Sequence, residues 1–114
     1  MTKKKITTRP LLGPVPSALI SCGRSETEQN IITLAWVGVV NSAPPMISIS
    51  VRPPRYSYRM IAETKEFVVN IPTADQVLLA DGCGTVSGKE IDKFSHFGLT
   101  PVKGTLQYAP LIEE

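Results

Sequence analysis

The chain has 114 residues, 42% of them hydrophobic and 19% charged, with a formal net charge of +2. That length allows one domain with a modest core, and the composition is that of a folded globular chain rather than a disordered one. No apolar run approaches the roughly 20 residues that span a bilayer, and so small a charge excess gives no argument for nucleic acid or a membrane surface as partner.

Residues 1–8 read as a flexible tail, with Lys3, Lys4 and Lys5 a solvated charge run. No apolar stretch of signal-peptide length comes after them, so a cytoplasmic protein is expected. SALISC (17–22) is a short strand and GRSETEQ (23–29) a polar loop. NIITLAWVGVV (30–40) is rich in β-branched residues and predicts one long strand buried on both sides. The prolines of NSAPP end it. MISISV (46–51) has period two, with Ile47, Ile49 and Val51 on one face and Met46, Ser48 and Ser50 on the other.

After Arg52, Pro53 and Pro54, Ser57 is the expected N-cap of a short helix running to about Thr64, with Tyr58, Ile61 and Ala62 on one side. EFVVNIP (66–72) is a strand with Phe67, Val69 and Ile71 pointing one way, Val68 and Asn70 the other. Thr73 and Gln76 form a capping box for a helix ending near Gly82. GCGTVSG (82–88) is expected to be a loop, KEIDKFSHF (89–97) a short helix stopped by Gly98, and the rest one or two irregular strands. Short strands and short helices without a βαβ rhythm point to a mainly β barrel or open sheet.

Cys22 and Cys83 lie far apart and form no CxxC pair; with the single His96 they offer too few ligands for a metal, and are read as reduced, half-buried residues. The loop DGCGTVSGKE fails as a P-loop, because position 83 is cysteine where glycine is needed and Glu90 follows Gly88-Lys89. As a dinucleotide fingerprint it lacks the third glycine, Ser87 standing there. The turn SVRPPRYS offers more. Arg52, Arg55 and Ser57 at a helix start are the parts of a phosphate site, where main-chain N–H groups, a hydroxyl and guanidinium groups converge on an anion. The same residues are also ordinary surface chemistry, and spacing alone leaves both readings open. Trp36 beside small Ala35 could let a flat heteroaromatic ring lie on the strand, although a core tryptophan is the simpler reading. Asn70 needs hydrogen-bond partners, from backbone or from a ligand.

Taken together, NIITLAWVGVVNSAPPMISISVRPPRYSYRMIAETKEFVVNIP followed by CGTVSGKEIDKF closely resembles the flavin reductase-like, FMN-binding family that includes the flavoredoxins. The match runs from about Arg9 to the end, in order and spacing. It implies the FMN-binding split barrel over residues 9–114, mainly β with short helices, and a homodimer with flavin sites near the subunit interface. Relatives of this kind continue beyond residue 114 with strands that complete the barrel. The fold expected here is therefore incomplete at the C-terminus, either as part of a longer protein or as a shortened member that completes its sheet by pairing.

The resemblance also implies the site. Thr33, Leu34, Ala35 and Trp36 would lie along the flavin ring, with Asn30 at the start of that strand; Ser50, Val51 and Arg52 would approach the ribityl chain and phosphate. Arg55, Tyr56 and Ser57 would hold the phosphate, Asn70 would contact the flavin or its ribityl, and Ser87, Lys89, Lys93 and Phe94 would close the site. The implied activity is hydride transfer from NAD(P)H to flavin N5, with no side chain acting as acid or base and His96 without a role. The alternatives are a flavoredoxin-like carrier that takes electrons from a redox protein, or a shortened chain that binds no flavin.

Overall fold

The computed structural model describes residues 1–114. Residues 1–17 are exposed and carry no regular element. The organising strand is β1 (Ala18–Ser25), buried from Ala18 to Gly23 because it is central in a three-stranded antiparallel sheet. β2 (Glu28–Leu34) lies on one side, pairing Ile20 with Ile32 and Cys22 with Asn30. β5 (Val68–Asn70) lies on the other, pairing Leu19 with Asn70.

Alternation along these strands feeds two small cores, one on each face. Leu19 and Ile31 pack with Ala80, Cys83 and Phe94 of the C-terminal helices and with Leu99. Ala18, Ile20 and Ile32 pack on the opposite face against Val37, Ile49, Val51, Ile61, Phe67 and Val69. Cys22 and Cys83 are free thiols and fully buried rather than half-buried.

The expected long strand over 30–40 is two strands. β2 ends at Leu34, Ala35 and Trp36 interrupt it, and β3 (Val37–Ser42) pairs only with β4 (Pro45–Ile49) in a separate hairpin. Nor is it buried throughout: Trp36 is 51% exposed, Val39 79% and Val40 59%. Hydrophobicity alone could not separate a core strand from an uncovered one. Asn41 and Ser42 continue β3 rather than ending it, and Pro45 begins β4 beside the turn of the hairpin, as the first residue of its strand, where a missing N–H does least harm.

α1 (Tyr56–Thr64) starts at Arg55, not Ser57. Ser57 lies inside the first turn and is fully buried with Met60, so the inward face is Ser57, Met60 and Ile61; Tyr58 and Ala62 face solvent. The Thr73–Gln76 capping box forms, leading through a single 3-10 turn (Ala74–Gln76) into α2 (Val77–Thr85). Gly82 and Gly84 are helical, so the expected loop begins only at Val86. Gly82 is needed there: a Cβ would lie 2.6 Å from the Phe97 ring. α3 (Lys93–Phe97) is capped by the Asp92 carboxylate and ends at Gly98, whose φ of 66° is left-handed. β6 (Pro101–Val102) and β7 (Leu111–Ile112) form a last two-stranded ladder. There is no closed barrel among these three small sheets.

Candidate functional site

α1 begins beside the end of α2, and the site lies between them. No side chain caps the first turn of α1, and no acidic residue lies in it. A helix start leaves main-chain N–H groups unpaired and carries a partial positive charge. The cavity it borders, about 180 Å³, is lined by Asn30, Arg55, Tyr56, Ser87, Gly88 and Lys93 among others, with no carboxylate.

Two cations are fixed there by the end of α2. Arg55 Nη2 donates to Gly84 O at 2.9 Å, and Lys93 Nζ donates to Cys83 O and Ile31 O, both at 2.7 Å. α2 has no basic residue in its own last turn, so these two satisfy its terminal carbonyls. Each keeps donors in reserve, since an ammonium has three N–H groups and a guanidinium five. Lys93 is only 2% exposed. Burial, with a smaller contribution from the Arg55 charge, pushes its pKa down to about 8, against the opposing pull of Cys83 and Cys22. An anion in the cavity would offset that repulsion.

Gly88 completes the wall. A Cβ there would run into Asn30 Oδ1 and would lie 2.6 Å from the Tyr56 ring, so only glycine lets the 86–88 segment close on this corner. The cavity thus has the properties of a phosphate site: cations held in place, a free helix start and no competing acid.

The structure brings together Asn30, Arg55, Tyr56, Ser87 and Lys93, and sets Lys89 in an adjoining groove with Arg55 and Tyr56. The other expected residues lie outside these two spaces. Ser57 is fully buried and accepts a hydrogen bond from Asn30 Nδ2 at 2.8 Å, which fixes Asn30 in the cavity wall. Phe94 is 5% exposed and belongs to the core. Asn70 spends its amide on Leu19 O, Ser21 Oγ and Ile112 N, which answers its need for partners without a ligand. Thr33 donates to Ala80 O and borders a different cavity.

Leu34 and Val51 pack against the second core, while Ala35, Ser50 and Arg52 are exposed. Ser50 N donates to Trp36 O at 3.0 Å, which joins the strand ends on which a ring would rest. Neither Ala35 nor Trp36 lines either Arg55 cavity. Sequence reasoning misses Gly88 as a wall, because its loop fits no phosphate-binding motif, and misses Arg59 in the adjoining groove. Arg59 projects from α1 and lines that groove together with Arg55, which immediately precedes the helix.

Residues 13–114 match the flavin reductase like domain. The chain belongs to that family. It is similar to the flavoredoxin of Desulfovibrio vulgaris (Miyazaki F), 39% identical with a TM-score of 0.90 over 99% of this chain and 62% of that one. The flavoredoxin of Methanosarcina acetivorans is 34% identical, also with a TM-score of 0.90, over 100% of this chain and 60% of that one. Escherichia coli YddH, an uncharacterized protein, is 30% identical over 105 residues, 91% of this chain and 56% of YddH. This flavin reductase-like chain therefore spans about three fifths of either flavoredoxin, and its fold is their split-barrel type, here without a closed barrel.

Proposed function

We propose that the chain binds FMN, with the phosphate in the cavity at the start of α1 and the ring along the Leu34–Trp36 strand end, and that it serves NAD(P)H-dependent flavin reduction. The observation that carries this is the acid-free cavity in which Arg55 and Lys93 are held by the end of α2. Bound flavin would supply the hydride-accepting chemistry. The chain's own residues bind and orient: Arg55 and Lys93 hold negative charge, Gly88 permits close approach, and Asn30 is fixed by Ser57. The exposed Ala35–Trp36 strand end leaves one side of a ring open to a nicotinamide. No acid–base side chain is required.

Equilibrium titration with FMN and with riboflavin, which lacks the phosphate, tests this. Losing a charge-assisted hydrogen bond costs about 1.5–3 kcal/mol, so Arg55→Ala should weaken FMN by about tenfold or more. Riboflavin should change little. Equal losses would remove the phosphate assignment, and a protein that stays colourless with FMN would leave a fold that binds no flavin.

The likeness to two flavoredoxins favours a second reading, an electron carrier fed by a redox protein rather than by a nucleotide. Stopped-flow mixing with NADH and NADPH decides: no reduction of bound flavin by either would select the carrier. The working form we propose is a cytoplasmic homodimer. The support for the dimer is the uncovered apolar hairpin beside Trp36.

A further inference from the structure

The N-terminal arm, residues 1–16, is exposed throughout and takes no part in either core. It is nonetheless amphiphilic. Lys3, Lys4, Lys5 and Arg9 make it basic, and no acid precedes Glu26. Ile6, Leu11, Leu12 and Val15 leave large apolar side chains in water, Leu12 at 93% exposure. Pro10, Pro14 and Pro16 fix φ and keep the residues before them extended, so the arm forms no helix of its own to bury them.

A surface of matching character lies at the start of α2. A groove of about 530 Å³ is lined there by Pro72, Ala74, Val77, Ala80 and Asp81 among others, with no lysine or arginine. Ile71 and Leu78, the sequence neighbours of Pro72 and Val77, are exposed. Asp75 is exposed in the 3-10 turn, and Asp81 on the groove wall. Glu113 and Glu114 stand close by, since Gln76, another lining residue, donates to Glu114 O at 3.4 Å. Both ion pairs of the chain are at Arg24, so none of these four acids has a cation and none of the arm's cations has an acid.

We propose that the arm of one copy lies in the α2 groove of a second, with Leu11, Leu12 and Val15 on the apolar floor and the lysines at the acidic rim. Charge and polarity match on both sides of that contact. Each arm joins its body at Ser17, itself a lining residue, and so leaves its own copy at the groove's edge. Folding back would need a reversal between Leu12 and Ser17, where Pro14 and Pro16 favour extended chain. Outward, the extended arm reaches about 50 Å at ~3.1 Å per residue. That exceeds the two shorter extents of the molecule, 34 and 28 Å, so the arm can cross to a neighbour. Two copies that exchange arms close the contact. It requires no flavin and uses no residue of the β3–β4 hairpin.

The experiment places the photo-crosslinker benzoylphenylalanine in the full chain at Leu12, whose side chain touches neither core. Irradiation should give covalent dimers, and mass spectrometry should map the link to residues 71–81. Asp75→Lys with Asp81→Lys should lower the dimer yield about threefold at low salt, as expected for the loss of two exposed charge pairs. Adding Lys3→Glu, Lys4→Glu and Lys5→Glu to that chain should restore it. All five positions are exposed, and circular dichroism checks that each variant folds. The map from the chain with its acids intact decides by itself if a variant does not. Links confined to one chain, links to a surface outside 71–81, or no covalent dimer at high protein concentration would each overturn the arm exchange. So would a dimer yield that charge reversal leaves unchanged.

Discussion

Lys93 is the side chain on which the site most depends. It is a buried ammonium whose only protein partners are two main-chain oxygens, Ile31 O and Cys83 O. Lys93→Met would keep the apolar stem and leave both carbonyls without that donor, costing about 1–3 kcal/mol per orphaned group. The pH dependence is more diagnostic. Burial lowers the pKa from its ordinary value of 10.5 to about 8 in the fold, so between those values the unfolded chain holds the proton that the folded chain has lost. Stability from this group therefore rises with pH across that window and is level below it. The thiols of Cys22 and Cys83, raised chiefly by burial, work in the opposite direction at the alkaline end. The difference between wild type and Lys93→Met in chemical denaturation, followed from pH 7 to 10, should isolate the lysine. A difference that does not change with pH would contradict the buried-ammonium account. Nothing in KEIDKF distinguishes this lysine from Lys89, which is exposed; burial is decided by which face of the short α3 meets β2.

Glu66 does for a loop what Lys93 does for a helix end. It sits just ahead of β5, and its carboxylate accepts from the main-chain N–H groups of Tyr108 at 2.7 Å and of Gln107 and Ala109 at 3.3 Å. These bonds, that from Tyr108 foremost, hold its pKa below the usual carboxylate range. A depressed folded pKa contributes stability above the unfolded value, and that contribution is lost as pH falls through the folded pKa. Glu66→Ala should speed hydrogen exchange at the amides of 107–109 while leaving β1 protected, and should flatten the acid limb of the stability curve. Unchanged exchange at those amides would show that the loop is held by other contacts, such as the Ser21 hydroxyl on Pro110 O. Local rules did well where an element carries its own signal: the Thr73–Gln76 box, the Gly98 stop and the end of α1 near Thr64 all form as expected. They failed where a distant partner decides. Ser57 has the chemistry of a cap, yet Asn30 of β2 draws it inward, and Gly82 and Gly84 have the look of a loop while packing against Phe97 and Thr33 keeps them helical. The flavin family was readable from the order of the segments, whereas the groove adjoining the Arg55 cavity, which joins Arg24 of β1 and Arg59 of α1 to Lys89, was not.

The radius of gyration, 15.6 Å, exceeds the roughly 13 Å of a compact chain this long. The excess agrees with exposed residues 1–17 and with a hairpin that is covered only near Val37 and Ile49. A two-stranded ribbon is marginal in water unless something covers it. Here Trp36, Val39, Val40, Met46 and Ile47 are all about half exposed or more, an apolar surface of the kind that marks an interface. The Leu34–Trp36 strand end leads directly into this hairpin, and no wall of the Arg55 cavities reaches it. A second copy seated on the hairpin would cover the apolar ribbon and bring a further wall toward a ring lying on Trp36. Val39→Glu with Ile47→Glu should therefore convert a dimer to a monomer by sedimentation equilibrium. Because Val39 and Ile47 face each other across the ladder, the paired charges would also repel on any shared surface. FMN affinity should fall in step with dissociation and recover as protein concentration is raised in single variants of intermediate strength. A wild-type chain that remains monomeric at high concentration while binding FMN would place the whole ring site within one copy and remove the partner from it.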